Sequence, residues 1–225
     1  MKIGIVGSGK ISGLIGTLWS QAGHEVLFSS RHPQNLAGLV ARAGGGARAG
    51  KPDKAIAFGD AVLLSIPFFS LPDFDRNKAA TLHKKIVLGT PNPFPNRDGE
   101  MAEAVRRSGR GTGPCLREWF PGVRIVRAFN SVLNQTLTSK AHRASARVKI
   151  PLASDHEEAL QVASKLVTDA GFDPVIVGPL DRSREFDFRG ARLRHGHVGS
   201  RSTRDAWPSS GMAIPPDRHD LRRLG

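Results

Sequence analysis

A glycine-rich turn near the amino terminus is the segment best suited to bind a charged ligand. It reads Gly7-Ser8-Gly9-Lys10-Ile11-Ser12-Gly13 and lies between an apolar strand pattern and a helical pattern. Gly7 permits a tight turn, Gly9 lets the backbone approach a pyrophosphate, and Ser12 is a third small position that allows close helix-strand packing. Free amide groups at the helix start would face the anion. The pattern predicts a dinucleotide phosphate site at Gly7, Ser8, Gly9 and Lys10, and a plain glycine-rich turn is the alternative.

The segment after the second strand pattern indicates which dinucleotide is bound. NAD-selective domains place an acidic side chain here, where it accepts hydrogen bonds from the ribose hydroxyls. This chain instead has Ser29-Ser30-Arg31-His32, without an acid. A carboxylate would repel a 2′-phosphate, whereas Ser30 and Arg31 are able to donate to it, and the arginine fork suits phosphate geometry. The sequence favours NADP over NAD, and a solvated Arg31 that binds nothing is the alternative.

Two further segments follow strand patterns at the edge where doubly wound sheets bind ligands. Ser65-Ile66-Pro67 ends a buried apolar run, and its backbone is predicted to wall the nicotinamide side of the cleft. Residues 90–99 contain three prolines and are predicted to be irregular. Because loops at this edge often carry function, Asn92 is included among the predicted cofactor-binding residues; a purely structural loop is the alternative.

The residue inventory excludes several kinds of catalyst. The chain has no tyrosine, which rules out a carbonyl reductase with a Tyr-x-x-x-Lys acid, and its single cysteine, Cys115, excludes zinc sites built from paired cysteines. We expect Cys115 to be an ordinary buried or half-buried thiol and His24 to be a surface turn residue rather than an acid catalyst. Hydride exchange between a nicotinamide and a flavin-like ring depends more on alignment than on a strong protein acid. We therefore predict no particular catalytic residue and no metal site.

The elements that must position these residues follow from the apolar pattern. Short β-rich runs alternate with amphipathic stretches, which predicts an α/β fold of the Rossmann type, with a doubly wound, mainly parallel sheet and helices on both faces. Strands are predicted at 2–6, 25–29, 61–66, 85–89, 123–128, 149–153 and 174–177. The clearest helices are predicted at 11–22, 33–43 and 155–170, each followed by a glycine.

Length and charge set the broad class of the protein. The 225 residues suit one domain over 1–180, and the last segment, 181–225, has ten arginines, no lysine and little apolar periodicity, which predicts a poorly ordered tail. A net charge of +13 would suit nucleic acid, but the basic residues are scattered and no nucleic-acid-binding motif occurs. No segment reaches the roughly 18 to 20 apolar residues of a membrane span. We expect a soluble, cytoplasmic protein without a nucleic-acid partner.

Several segments together resemble the NADP-dependent coenzyme F420 oxidoreductase family over roughly residues 1–187. They are residues 4–11, Ser29-Ser30-Arg31, Ser65-Ile66-Pro67, and residues 92–99, 127–132, 151–155, 170–175 and 177–185. The residues that the resemblance assigns to the pyrophosphate are Ser8, Gly9, Lys10 and Ile11. Ser30 and Arg31 are assigned to the 2′-phosphate. Ile66 and Pro67 are assigned to the border of the nicotinamide.

The resemblance implies an NADP(H)-dependent oxidoreductase that works as a homodimer. Hydride would pass between the nicotinamide and a deazaflavin (coenzyme F420) or a flavin-type acceptor. Two alternatives share the nucleotide fold: an NADP-dependent dehydrogenase or imine reductase of a small metabolite, and a module that senses NADP(H) without turnover.

Overall fold

A computed structural model describes residues 1–74, 80–83 and 85–187. Within them, eight strands form one sheet in the order β3-β2-β1-β4-β5-β6-β7-β8. The strands are β1 (Lys2–Val6), β2 (Glu25–Ser29), β3 (Arg48–Gly50), β4 (Ala61–Leu64), β5 (Ile86–Gly89), β6 (Arg124–Arg127), β7 (Lys149–Ala153) and β8 (Asp173–Gly178). The helices are α1 (Lys10–Gln21), α2 (Ala37–Ala43), α3 (Pro52–Phe58), α4 (Pro95–Ser108), α5 (Thr112–Trp119), α6 (Asn134–Lys140) and α7 (Glu157–Asp169). Short 3₁₀ helices lie at Pro33–Leu36, Phe68–Ser70 and Leu180–Glu185.

The first six strands run parallel, and the pairing of β6 with β7 is antiparallel. The chain builds outward from β1 to β2 and β3, then returns to the other side of β1 with β4. This reversal opens a crevice between β1 and β4 at the carboxyl edge of the sheet, where doubly wound folds bind their ligands. The predicted fold class is confirmed. None of the helices in the described part of the chain is long and apolar enough to cross a membrane.

Two apolar clusters, one on each face, hold the helices against the sheet. On one face the fully buried Trp19 of α1 packs edge-to-face on Phe129, with ring centroids 6.0 Å apart. Its indole N–H donates to the carbonyl of Leu166 in α7 over 2.7 Å. The buried polar atom of the largest core side chain is therefore satisfied, and its hydrogen bond links α1 to α7.

Small residues let α1 approach the sheet closely. A Cβ added at Gly16 would lie 2.4 Å from side-chain atoms of both Ile5 and Phe28, so no larger residue fits without displacement. Ser12, the predicted third small position, is fully buried, and its hydroxyl donates to the Gly9 carbonyl over 3.2 Å. The glycine-rich turn is thus held where α1 leaves the sheet.

Most predicted elements are present, and the ends of the predicted strands differ by no more than two residues. The helix predicted at 33–43 is a 3₁₀ helix over Pro33–Leu36 followed by α2. No element is predicted from the sequence for β3, α3, α5 and α6, or for the part of α4 after residue 99. The other difference concerns the segment 90–99. Its second half is helical, because Pro95 occupies a first-turn position, where a missing N–H costs nothing. The prediction that the whole segment is irregular is wrong from Pro95 onward. A positive φ of 62° at Gly99 kinks this helix.

Residues 181–187, at the start of the predicted tail, pack against the domain. The Ser183 hydroxyl accepts a hydrogen bond from the Gly113 N–H over 3.0 Å, and Asp187 forms an ion pair with Arg127 over 2.7 Å. Both Ser183 and Arg127 are fully buried. The rest of the predicted tail, residues 188–225, lies outside the described residues.

The expectation that His24 is a surface residue is wrong. His24 is 6% exposed, and its Nε2 lies 2.9 Å from Oδ2 of Asp169. Its Nδ1 lies 3.3 Å from the amino group of Met1. His24 therefore links the amino end of the sheet to the end of α7, opposite the ligand-binding edge. That His24 is not a catalytic acid stays a prediction.

Candidate nucleotide-binding site

The turn at Gly7 requires glycine for two reasons. Its φ is +97°, in the region that residues with a Cβ rarely adopt. A Cβ added there would lie 2.2 Å from the carbonyl oxygen of Ser65. The Ser65 N–H in turn donates to the Val6 carbonyl over 2.8 Å. The turns after β1 and β4 therefore touch, and together they form the floor of the crevice.

Gly9 lies at the open mouth of the same turn. It caps α1 with an extended backbone, no side chain caps the helix, and a Cβ added at Gly9 would meet no atom within 4 Å. The first hydrogen bond of the helix runs from the Gly13 N–H to the Gly9 carbonyl over 2.9 Å. The N–H groups ahead of Gly13 therefore have no carbonyl partner within the helix. With Lys10 exposed and Ile11 half-buried beside it, this mouth has the shape and polarity of an anion site.

The two serines at the end of β2 have different roles. Ser29 is buried, and its hydroxyl donates to the Ile5 carbonyl over 2.6 Å, which ties β2 to β1. Ser30 is half-buried, and its Oγ accepts a hydrogen bond from the His32 N–H over 3.1 Å. Arg31 is exposed and has no ion pair with any described residue. Ser30 and Arg31 are thus available at the edge of the crevice.

Strand β3, which has no sequence signature, brings two lysines to the same edge. The Ser30 N–H donates to the carbonyl of Gly50, the last residue of β3, over 3.1 Å, and Lys51 follows directly. A Cβ added at Gly50 would lie 3.6 Å from Cβ of Lys54. Both lysines are exposed and form no ion pair within the described residues. We call Arg31, Lys51 and Lys54 the cationic edge; the exposed Asp53 between the lysines reduces its net charge to +2.

The segment after β4 forms one wall of the crevice. The half-buried Ile66 approaches Gly7, because its Cγ2 lies 3.2 Å from where a Gly7 Cβ would be. Pro67 is exposed and extended, and it leads into a short 3₁₀ helix with Phe68 buried and Phe69 44% exposed. Ser65, Ile66 and Pro67 therefore lie together beside the glycine turn, at the position that the sequence predicts.

A buried carboxylate fixes the loop after β5 to this wall. Asp98 forms a two-pronged ion pair with Arg97, in which both distances are 2.8 Å, and accepts hydrogen bonds from the backbone N–H groups of Phe94 and Phe69. Burial by itself would raise the pKa of Asp98, but these hydrogen bonds and the charge of Arg97 outweigh it and hold that pKa below its ordinary value. The Arg97 guanidinium also donates to the Asn92 carbonyl over 3.0 Å.

Asn92 belongs to a buried network centred on Arg127, a residue with no exposed surface at the end of β6. The Arg127 guanidinium donates to the carbonyls of Gly89 and Pro91, to Oδ1 of Asn92 and to Oδ1 of Asp187, at 2.7–3.0 Å. The Asn92 amide donates to the Asn130 carbonyl over 2.6 Å. The side chain of Asn92 therefore joins the loops after β5 and β6, and its role as a cofactor contact stays a prediction.

Asn130 and Asp187 complete this network. Nδ2 of Asn130 lies 3.1 Å from Oδ1 of Asp187, and the other oxygen of Asp187 accepts the N–H of Thr112 over 2.6 Å. Within the described residues, three buried atoms of the network lack a partner: Oδ1 of Asn130, Nε of Arg127 and Oγ1 of Thr112. The preceding Phe129 has a φ of +57°, a strained conformation of the kind that often occurs at functional sites.

No role for this network is predicted from the sequence, although one feature of the sequence indicates that such a network exists. Arg127 lies in the strand predicted at 123–128, and a cation in a buried strand requires a paired anion. The sequence does not identify Asp187, 60 residues later, as that anion. No group of three or more His, Cys, Asp or Glu side chains in the described part of the chain is arranged to hold a metal ion.

Comparison with known proteins gives a family match and a curated relative. Residues 2–93 match the model of a family described as "NADP oxidoreductase coenzyme F420-dependent". Over 195 residues the chain is 26% identical to Metalloreductase STEAP3 of Rattus norvegicus, a match that covers 85% of this chain and 37% of that protein. The chain thus spans well under half the length of this curated relative.

Solved structures show the same fold. A hypothetical protein from Sinorhizobium meliloti superposes with a TM-score of 0.70 at 24% identity, covering 86% of this chain and 92% of its own. A candidate F420-dependent NADP reductase from Arthrobacter sp. FB24 has a TM-score of 0.67 at 18% identity and covers 82% and 87%. An imine reductase from Myxococcus stipitatus in complex with NADP⁺ has a TM-score of 0.58 at 11% identity and covers 80% and 56%. The family resemblance seen in the sequence is confirmed by the match of residues 2–93.

Proposed function

We propose that this protein uses NADP(H) to exchange hydride with a deazaflavin or flavin-type acceptor. The proposal is supported by the match of residues 2–93 to a family described as "NADP oxidoreductase coenzyme F420-dependent". The observation that carries the proposal is the juxtaposition of an open glycine turn with the cationic edge. The turn, made by Gly7, Ser8, Gly9, Lys10 and Ile11, suits a pyrophosphate, and the edge suits a phosphate further along the same ligand.

The cationic edge supports NADP(H) over NAD(H). A 2′-phosphate carries about −1.5 to −2 charges near neutral pH, and no acid occupies the end of β2, where NAD-selective domains place one. Ser30 and Arg31 offer hydrogen bonds there, and Lys51 and Lys54 add charge from β3 and α3. A guanidinium binds phosphate through two parallel hydrogen bonds, so we assign the main contact to Arg31.

The walls of the crevice orient the reacting ring. Bound nicotinamide supplies a hydride at its C4 carbon, or accepts one there, and the acceptor ring gains or loses that hydride. Ile66 and Pro67 provide an apolar wall on the β4 side, and the Asn92–Arg127 network holds the loops on the other side. These residues position the ring and exclude water, and alignment of two rings is the main requirement of hydride transfer. The match to a metalloreductase supports the reductive direction, with NADPH as the donor.

A homodimer in the cytoplasm is part of the proposal. Exposed apolar side chains that a partner subunit would cover include Ile176 on the edge strand β8, which is 58% exposed. Light scattering on the purified protein measures the mass of the particle. A mass of one chain at micromolar concentration would contradict the dimer without affecting the nucleotide assignment.

Fluorescence titration with NADPH and NADH tests the nucleotide assignment. Arg31→Ala is expected to weaken NADPH binding by about 10- to 100-fold, the equivalent of a charge-assisted hydrogen bond, and to leave NADH binding unchanged. The matched control is Arg42→Ala, an exposed arginine in the last turn of α2, toward the opposite edge of the sheet. Preference for NADH, or equal losses in both variants, would contradict the assignment.

Turnover separates an enzyme from a nucleotide sensor. NADPH oxidation is followed at 340 nm with F420 and with FMN as acceptors, in the wild type and in Arg31→Ala. Turnover that falls with Arg31→Ala in proportion to NADPH binding would support the oxidoreductase. Tight NADPH binding without turnover on either acceptor, or on an imine, would instead identify a module that binds the nucleotide without catalysis.

A further inference from the structure

The amide orientation of Asn130 is fixed by its neighbours. Its Nδ2 lies 3.1 Å from a carboxylate oxygen of Asp187 and 3.4 Å from the carbonyl oxygen of Phe186. Both of these groups only accept hydrogen bonds, so the nitrogen of the amide must face them. The oxygen Oδ1 must consequently point away from Asp187.

That oxygen is buried without a hydrogen-bond partner among the described residues. Asn130 is 6% exposed, and a buried carbonyl oxygen without a donor is energetically unfavourable. Native proteins rarely leave such an atom unsatisfied unless a ligand or an ordered water completes it. Asn130 follows β6 at the carboxyl edge, on the side of the crevice where the nicotinamide would lie. Oδ1 of Asn130 is therefore a hydrogen-bond acceptor that a donor group on a ligand would satisfy.

Asp187 is held rigidly in the orientation that this arrangement needs. One of its oxygens accepts from Arg127 over 2.7 Å, and the other accepts from the backbone N–H of Thr112 over 2.6 Å. The side chain of Arg127 is itself fixed by the Gly89 and Pro91 carbonyls. Because a donor holds each of its two oxygens, the carboxylate cannot rotate. It therefore offers only a hydrogen-bond acceptor to Asn130.

We propose that Asp187 is a positioning residue which orients the Asn130 amide, so that Oδ1 of Asn130 accepts a hydrogen bond from the carboxamide N–H of the bound nicotinamide. The inference rests on the proposed NADP(H) function and adds a contact that recognises the reactive ring. A carboxamide that is held on one side restricts rotation of the ring about its glycosidic bond. The segment after β8 thereby contributes to the site through Asp187.

The test compares the binding of two ligands that differ only in the group that Oδ1 of Asn130 would contact. NADP⁺ carries a carboxamide, whereas its 3-acetylpyridine analogue carries an acetyl group that cannot donate. The wild type is expected to bind NADP⁺ about tenfold more tightly than the analogue, since a buried hydrogen bond contributes about 1–1.5 kcal/mol. In Asn130→Ala and in Asp187→Asn this preference should fall to about twofold or less. A new amide at position 187 is able to present either its oxygen or its nitrogen to Asn130, so the orientation is no longer imposed.

Three further measurements distinguish a loss of the Asn130 amide orientation from a loss of protein folding. Binding of 2′,5′-ADP, which lacks the nicotinamide half, should be unchanged in Asn130→Ala and Asp187→Asn. Asp187→Glu keeps a carboxylate and should restore part of the preference. Glu185→Gln alters an exposed carboxylate of the same segment, which pairs with Arg182, and should keep the full preference.

Each possible result of these binding measurements has a different meaning. A tenfold preference that survives in Asp187→Asn, or a loss in the mutants that affects 2′,5′-ADP and NADP⁺ equally, would overturn the orienting role. An effect confined to the KM of the acceptor would overturn the assignment to the nicotinamide. Failure of the wild type to bind 2′,5′-ADP at all would instead refute the proposed function, and this inference with it.

Discussion

The backbone N–H of Ser30 donates to the carbonyl oxygen of Gly50 over 3.1 Å, and this contact places Lys51 next to the loop that contains Arg31. The three-residue strand β3 thus adds a second cation to the end of β2. Neither side chain forms an ion pair with a described residue, so both are available to an anion.

Lys51→Ala should weaken binding of NADPH and of 2′,5′-ADP by about three- to fivefold, because an exposed charge pair contributes up to about 1 kcal/mol. NADH binding should not change. The effect should shrink as salt rises to 0.5 M, since exposed charges are screened. Lys140→Ala, an exposed lysine in the last turn of α6, is the matched control for isothermal titration. Equal affinities in the wild type and Lys51→Ala at low salt would remove Lys51 from the site.

The two glycines of the turn should respond differently to alanine. Gly9→Ala meets no protein atom, so it should lower stability by less than about 1 kcal/mol, yet weaken NADPH binding by about tenfold or more, because the Cβ occupies the approach of the phosphate. Gly7→Ala has both a positive φ and a contact of 2.2 Å with the Ser65 carbonyl, so it should also lower the free energy of unfolding by about 1–3 kcal/mol or more. Urea unfolding and titration on both variants measure this difference. Unchanged NADPH binding in Gly9→Ala would contradict the phosphate assignment.

Asp98 makes stability depend on pH in the acid range. Its pKa is lower in the folded than in the unfolded chain, so the folded state favours the ionised carboxylate. The stabilisation is therefore complete above the ordinary aspartate pKa near ~4 and is lost as pH falls through the lower folded pKa. Asp98→Asn should reduce the free energy of unfolding at pH 7 by about 1–3 kcal/mol, and the difference from the wild type should narrow below pH ~4. Glu100→Gln, an exposed change in the same helix, is the control; a pH-independent difference would contradict the ion-pair explanation.

Cys115 should be chemically inert in the folded protein. Burial raises the pKa of its thiol to about 11, and the nearby charge of Glu118 adds to this effect. At pH 8 only about one thiol in a thousand is ionised, and the thiolate is the reactive form. A thiol reagent such as DTNB should therefore label the protein in urea but not in buffer. Rapid labelling of the native protein would show that Cys115 is accessible, contrary to its buried position.

Most of the regular fold is readable from the sequence because its strands are buried on both faces. Such strands appear as short apolar runs, and β1, β2 and β7 have the same ends as predicted. The glycine turn and Ser30-Arg31 are readable for a related reason, since each directly follows such a run. Strand β3, Arg48-Ala49-Gly50, has no apolar run and depends on pairing with β2, so the lysines that it positions have no local signal.

The sequence by itself determined the order of the elements, the glycine turn and the absence of an acid after β2, because these depend on neighbours along the chain. Tertiary structure decided the burial of His24 by Asp169, the pairing of Arg127 with Asp187 and the orientation of Asn130. The partners in these contacts are separated by 57 to 145 residues in the chain. The packing of the helices on the sheet decides which charged groups come into contact. An ion pair or a fixed amide depends on the distance between its partners in space, and no local sequence pattern encodes that distance.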